Sequence, residues 1–97
     1  ETKPARVKLK NCHLDHIIPI SAFASYVDNE SIIKLSSHYQ NLQLLSKKAN
    51  MDKSDSVEIG LEMLLMKEIK DKVVHNQLVT FAKNFIEERD RALKNIL

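Results

Sequence analysis

Apolar and charged positions alternate along Val7-Lys8-Leu9-Lys10, and the pattern continues through Cys12 and Leu14. This is the period of a half-buried strand. Pro19 has no N–H to give to a ladder and biases Ile18 away from helix, so the strand stops before it. Residues 1–6 are polar, carry a proline and read as an arm. Ser21 to Tyr26 fit a helical turn, after which Asp28 or Asn29 can cap a short helix through Ile32, Ile33 and Leu35. The apolar run from Asn41 to Leu45 reads as a second strand returning against the first. Ser46 then caps a short helix through Lys47, Lys48, Ala49, Asn50 and Met51.

Beyond Ser54-Asp55-Ser56, which supply further caps, the period becomes helical: Val57, Leu61, Leu64, Leu65 and Ile69 recur on one face. Gly60 inside this pattern is about 1 kcal/mol less favourable than alanine and marks a close contact with another helix. A last helix from about Val73 carries Val74, Leu78, Phe81, Phe85, Ala92 and Ile96 on one face, with Glu87, Glu88, Arg89, Asp90 and Arg91 mostly opposite. The expected class is α+β, in one domain. Two short antiparallel strands and a helix occupy 7–55, and a C-terminal helical hairpin occupies 56–97. The apolar face of the hairpin needs a surface to cover it: the front half, a second copy of the chain, or other domains of a parent protein.

A chain of 97 residues supports one modest core. With 43% hydrophobic and 29% charged residues and a single glycine, it reads as helix-rich and globular. It opens on glutamate rather than methionine, which fits a processed chain or a domain cut from a longer protein. No window approaches the roughly 20 apolar residues that span a bilayer, so an intracellular, cytoplasmic protein without a membrane partner is expected. The lone Cys12 makes no intramolecular disulfide and no multi-thiolate zinc site, and reads as a small core residue. The formal charge of +2 is modest, but its placement is informative. Lys3, Arg6, Lys8 and Lys10 precede Asp15, and Lys47, Lys48 and Lys53 surround Asn50, an arrangement suited to a polyanion.

Asp15-His16 at the end of a strand, followed at a distance by Asn41 and Asn50, offers the groups that phosphodiester hydrolysis requires. His16 can take a proton from water near neutral pH. Asp15 and Asn50 offer oxygen ligands, which suit Mg²⁺ or Mn²⁺ and leave room for a substrate phosphate. Asn41 is expected to pin the loop after the first strand by side-chain hydrogen bonds, fixing how His16 points. Lys53, with Lys47, Lys48 and Lys10, is expected to contact DNA phosphates. On a regular strand Asp15 and His16 face opposite sides, so their convergence requires irregular backbone before Pro19. His13 reads as a packing or backbone hydrogen-bonding residue ahead of a phosphate contact, and His38 and His75 as surface or interface residues.

These residues resemble the HNH nucleases, the ββα-metal endonucleases. Asp15-His16-Ile17-Ile18-Pro19 is similar to the first motif, Asn41-Leu42-Gln43 to the middle asparagine, and Asn50 with Lys53 to the final His-or-Asn position and its following lysine. Lys53-Ser54-Asp55 is also similar to the nuclease domain of RNA-guided CRISPR enzymes. The resemblance covers about Leu9 to Asp55. It implies a ββα finger with one divalent metal, Asp15 and Asn50 as ligands, His16 as general base, and double-stranded DNA as substrate, cut to a 5′-phosphate and a 3′-hydroxyl. The context it implies is a phage, a mobile element or a prokaryotic host. Two departures stand out: the paired zinc cysteines of many members are absent, and asparagine replaces the last histidine. A catalytically silent nucleic-acid-binding module, or an interaction protein working through its helical hairpin, are the alternative readings.

Overall fold

A computed structural model describes residues 12–96; the strand expected over Val7–Lys10, the arm before it and Lys10 lie outside them. The class is α+β. Strand β1 (Cys12–His16) pairs antiparallel with β2 (Leu42–Ser46), with Cys12 opposite Ser46, Leu14 opposite Leu44 and His16 opposite Leu42. The excursion between the strands holds a 3₁₀ segment (Ile20–Tyr26), helix α1 (Glu30–Ser36) and a 3₁₀ turn (Tyr39–Asn41). Helix α2 (Lys47–Lys53) follows β2 directly, and α3 (Val57–Met66) and α4 (Lys72–Ile96) complete the chain.

Local chemistry accounts for most element starts. Asn29 Oδ1 accepts from Ile32 N, Ser46 Oγ from Ala49 N, and Ser56 Oγ from Ile59 N. Each satisfies one of the N–H groups that a helix start leaves without an internal partner. Asp71 Oδ1 does the same for Val74 N at the start of α4.

The core is built from the segment that follows β1 and not from the sheet itself. Ile17, Ile18, Ala22 and Phe23 pack with Val57 and Leu64 of α3 and Leu78 and Ala82 of α4. Phe23 and Phe81 stack with ring centroids 4.3 Å apart, and Tyr26 meets Phe81 edge-on. The strands carry little of the burial: the cross-strand neighbours Leu14 and Leu44 are 63% and 55% exposed. Cys12, expected in the core, is only half-buried. The helical half is thus clamped onto the loop between Asp15-His16 and the excursion. That loop is the part of the chain on which the site depends.

Several expectations are corrected. Helix α3 stops at Met66, so Ile69 lies beyond it, and Leu65 faces solvent with Ile69. The cause is tertiary. Lys67 Nζ donates to the carbonyls of Tyr39, Gln40 and Leu42, at 3.1, 3.1 and 2.8 Å. The buried Gln40 Oε1 accepts from Lys70 N and Asp71 N. These bonds hold an irregular connection where the apolar pattern alone reads as helix. Burial, and then the neighbouring Lys70 charge, push the Lys67 ammonium below the ordinary lysine range, while its three carbonyl acceptors favour the charged form.

The close contact that Gly60 makes from α3 is with the loop after β1. A Cβ there would lie 2.1 Å from the Ile17 carbonyl oxygen, so only glycine admits this approach. His75, expected at the surface or an interface, is buried in the core, because it shares with Leu78 and Ala82 the stripe of α4 that faces it. His38 is half-buried, and its Nδ1 accepts from Gln40 N to start the 3₁₀ turn. His13 is exposed on β1 rather than packed. Ala92 and Ile96 are exposed because α4 continues past the core.

Candidate active site

The end of β1, the turn at Pro19 and the C-terminal part of α2 enclose a cleft of about 310 Å³. Its walls are Leu14, Asp15, His16, Pro19, Ile20, Asn50, Lys53, Ser54 and Asp55. Asp15 and His16 are adjacent on the strand, yet both border the cleft. The strand ends at His16 and the chain turns away at once, so strict alternation of faces is not maintained.

The turn is held by Asn41. Its Oδ1 accepts from Ile18 N at 2.8 Å, its Nδ2 donates to Ile18 O at 3.1 Å and Ser36 O at 2.9 Å, and its backbone carbonyl accepts from Ile17 N at 2.7 Å. One fully buried side chain therefore sets the backbone immediately after His16 and ties it to the end of α1. Asn41 does not itself border the cleft.

Asp15 is buried and held by two donors. Gln43, its partner across the sheet, donates from Nε2 to Oδ2 at 3.0 Å. Lys53 Nζ donates to Oδ1 at 3.4 Å and lies 3.3 Å from Oδ2. The same ammonium donates to the His16 carbonyl at 3.0 Å. Lys53 is only 2% exposed, so the phosphate contact expected of it is not what its side chain makes; its donors are committed inside the protein. Lys47 and Lys48 stand exposed on α2 and do not line the cleft, and Lys48 pairs with Asp52.

Two features that shape the site lie outside the expected one. Gln43, which holds Asp15 from behind without bordering the cleft, is one; the only hint in the sequence is a polar residue at an alternate position of an otherwise apolar strand. The other is the backbone of Ser54, the one non-glycine residue with positive φ among those described (φ 49°, ψ −135°). Its N–H donates to Asn50 O at 3.0 Å as α2 ends, and its strained turn swings Asp55 onto the cleft wall. Strain of this kind costs about 1–3 kcal/mol and collects at functional sites.

Neither protein-family models, curated proteins nor solved structures give a match to the chain. The site therefore has to be judged on its own chemistry. Among the described residues no three His, Cys, Asp or Glu side chains gather around one point. The expected ligand set is of a different kind, one carboxylate and one amide, and Asp15 and Asn50 border the same cleft. Such oxygen donors suit a hard divalent cation that keeps several waters. No helix of the described residues is long and apolar enough to cross a membrane.

Proposed function

We propose that this chain is an HNH-type nuclease domain with a ββα-metal finger, a metal-dependent endonuclease hydrolysing phosphodiester bonds of DNA. The observation that carries the reading is the meeting of Asp15, His16 and Asn50 on one cleft, although the whole excursion separates the first two from the third. The finger would consist of β1, β2 and α2.

In this reading His16 takes a proton from a water molecule as its oxygen attacks phosphorus. The bond to the 3′ oxygen breaks, and that oxygen leaves with the bonding pair and takes a proton from a second water to become the 3′-hydroxyl, while the phosphate stays on the 5′ side. Asn41 keeps the backbone beyond His16 in place through the attack. Asp15 and Asn50 would hold a Mg²⁺ or Mn²⁺ ion, which would supply the positive charge that the phosphoryl and leaving oxygens require. Exposed Lys47 and Lys48 lie on α2, the helix that carries Asn50, where they can meet the phosphate backbone on either side of the cut.

The test is supercoiled plasmid incubated with and without Mg²⁺ or Mn²⁺, beside His16→Ala. Metal-dependent nicking that falls by about 10²–10⁴-fold in the variant is expected of a lost general base. Undiminished nicking by His16→Ala removes His16 from that role. Salt-sensitive DNA binding without scission in either metal would instead mean a binding module on the same fold.

A further inference from the structure

We infer that Lys53 is a positioning residue: a built-in counter-cation that holds Asp15 and His16 in register and sets how tightly the cleft takes a divalent ion. The inference rests on the nuclease reading above. It starts from a lysine that is almost wholly buried at the last position of a short helix, where a solvated side chain would be the ordinary outcome. Lysine is buried only when its charge is matched. Here the match is to two neighbouring residues at once. The ammonium meets both carboxylate oxygens of Asp15, at 3.4 and 3.3 Å, and the backbone carbonyl of His16 at 3.0 Å.

Two consequences follow. The first is geometric. The proposed ligand and the proposed base are adjacent in sequence, and one ammonium ties the side chain of the former to the backbone of the latter. Gln43 holds the same carboxylate from across the sheet, so Asp15 cannot swing without breaking bonds from both β2 and α2. The site is thus set before any ion arrives.

The second consequence is electrostatic. The Lys53 ammonium, 3.4 and 3.3 Å from the two Asp15 carboxylate oxygens, repels a divalent ion that approaches those oxygens. Lys53 therefore gives up some metal affinity in exchange for a fixed carboxylate. Removing its charge while keeping a hydrogen-bond donor should tighten the ion and loosen the ion-free protein.

Mn²⁺ alone is the probe, titrated calorimetrically into the full chain, with thermal melting in its absence as the second readout. Lys53→Gln is expected to bind Mn²⁺ roughly tenfold more tightly, because the repelling charge is gone, and to melt at a lower temperature without it. Lys53→Arg, which keeps the charge, should bind like the unsubstituted protein. Unchanged or weaker binding by Lys53→Gln overturns the inference. If that variant is unfolded without the ion, Lys53→Met is judged by the same criterion. If both neutral variants are unfolded, refolding by Mn²⁺ at concentrations that saturate the unsubstituted protein supports the inference, and failure to refold overturns it. Absence of Mn²⁺ binding by the unsubstituted protein is a different result, since it removes the nuclease reading itself.

Discussion

In its front half the chain buries four polar side chains, Asp15, Gln40, Asn41 and Lys53, beside the apolar Ile17, Ile18, Ala22 and Phe23; in its helical half the polar His75 is buried beside Val57, Leu64, Leu78 and Ala82. The two halves also differ in their hollows. Between α3 and α4 lies a groove of about 560 Å³, lined by Leu61, Lys83, Ile86, Glu87, Asp90, Arg91 and Lys94. It is larger than the cleft beside His16, yet its polar groups are surface charges of mixed sign on exposed turns of one helix. In the smaller cleft the polar groups come from separate elements and are held by partners below the surface. Size follows helix packing, whereas convergence of polar groups follows from bonds that fix them. Apolar contact stabilises by area and is indifferent to small shifts. A buried hydrogen bond requires one arrangement and penalises the rest.

A paired substitution tests this division most severely. Asn41→Ala leaves Ile18 N, Ile18 O and Ser36 O without their partner, and Leu78→Ala opens a cavity under α4. Each is expected to destabilise by about 3 kcal/mol in urea unfolding, the first through unmet polar groups and the second through lost packing. Their effects on cleavage should part. At a temperature where both variants remain folded, Asn41→Ala should lose most of its metal-dependent nicking, because the turn after His16 is released. Leu78→Ala should keep it. Equal loss in the two would mean that the site depends on stability alone and that the halves are not separate in function.

Gly60→Ala probes the seam where the halves meet. The added methyl would be 2.1 Å from Ile17 O, a backbone atom that cannot rotate away. Overpacking of this kind costs about 1–3 kcal/mol, and the gain of about 1 kcal/mol in helix propensity offsets part of it. A net destabilisation of about 1–2 kcal/mol is expected, with reduced nicking, because Ile17 directly follows His16. A rise in melting temperature with normal nicking would show that the loop yields freely to α3, and that the helical half does not brace the site.

What could be read from the sequence, and what could not, divides along the same physical line. The cap at Ser46 was legible, and those at Asn29 and Ser56 were legible to within a residue or two, among their neighbours Asp28, Ser54 and Asp55, because each acts on an N–H three residues away. Pro19 and the Asn41 to Leu45 run placed the strands for equally local reasons. Asp15, His16 and Asn50 could be singled out in advance by residue type, and all three line one cleft. Lys53 was expected to meet phosphate, since a lysine on a short helix is ordinarily solvated; only the fold reveals the carboxylate beside it. The break between α3 and α4 was hidden too, because it depends on Lys67 and Gln40 meeting across distant parts of the chain. His75 stood in plain view three residues before Leu78, on the stripe that became buried, and its residue type argued against its position.

The smallest expected effect concerns a contact wholly inside the helical half. Arg89 on α4 donates through both terminal nitrogens to the Glu58 carboxylate on α3, and also to Asp90. The Arg89 hydrogen bond, helped by Glu58's own backbone, holds the Glu58 carboxyl below the ordinary value of 4.5. A carboxyl depressed by folding contributes stability that is fully present above its unfolded value and is lost as pH falls through its lower folded value. The contribution is modest because both side chains reach solvent, where the pair is screened. Melting temperatures measured from neutral pH downward should therefore fall slightly less steeply for Glu58→Gln than for the unsubstituted chain, with the difference confined to the region below about pH 4.5. Nicking at neutral pH should be the same in both. Identical melting slopes would mean that the bridge between α3 and α4 does not form in solution. A change in nicking would carry the influence of the helical half through to the cleft, and would narrow the separation between the two halves to the Gly60 seam.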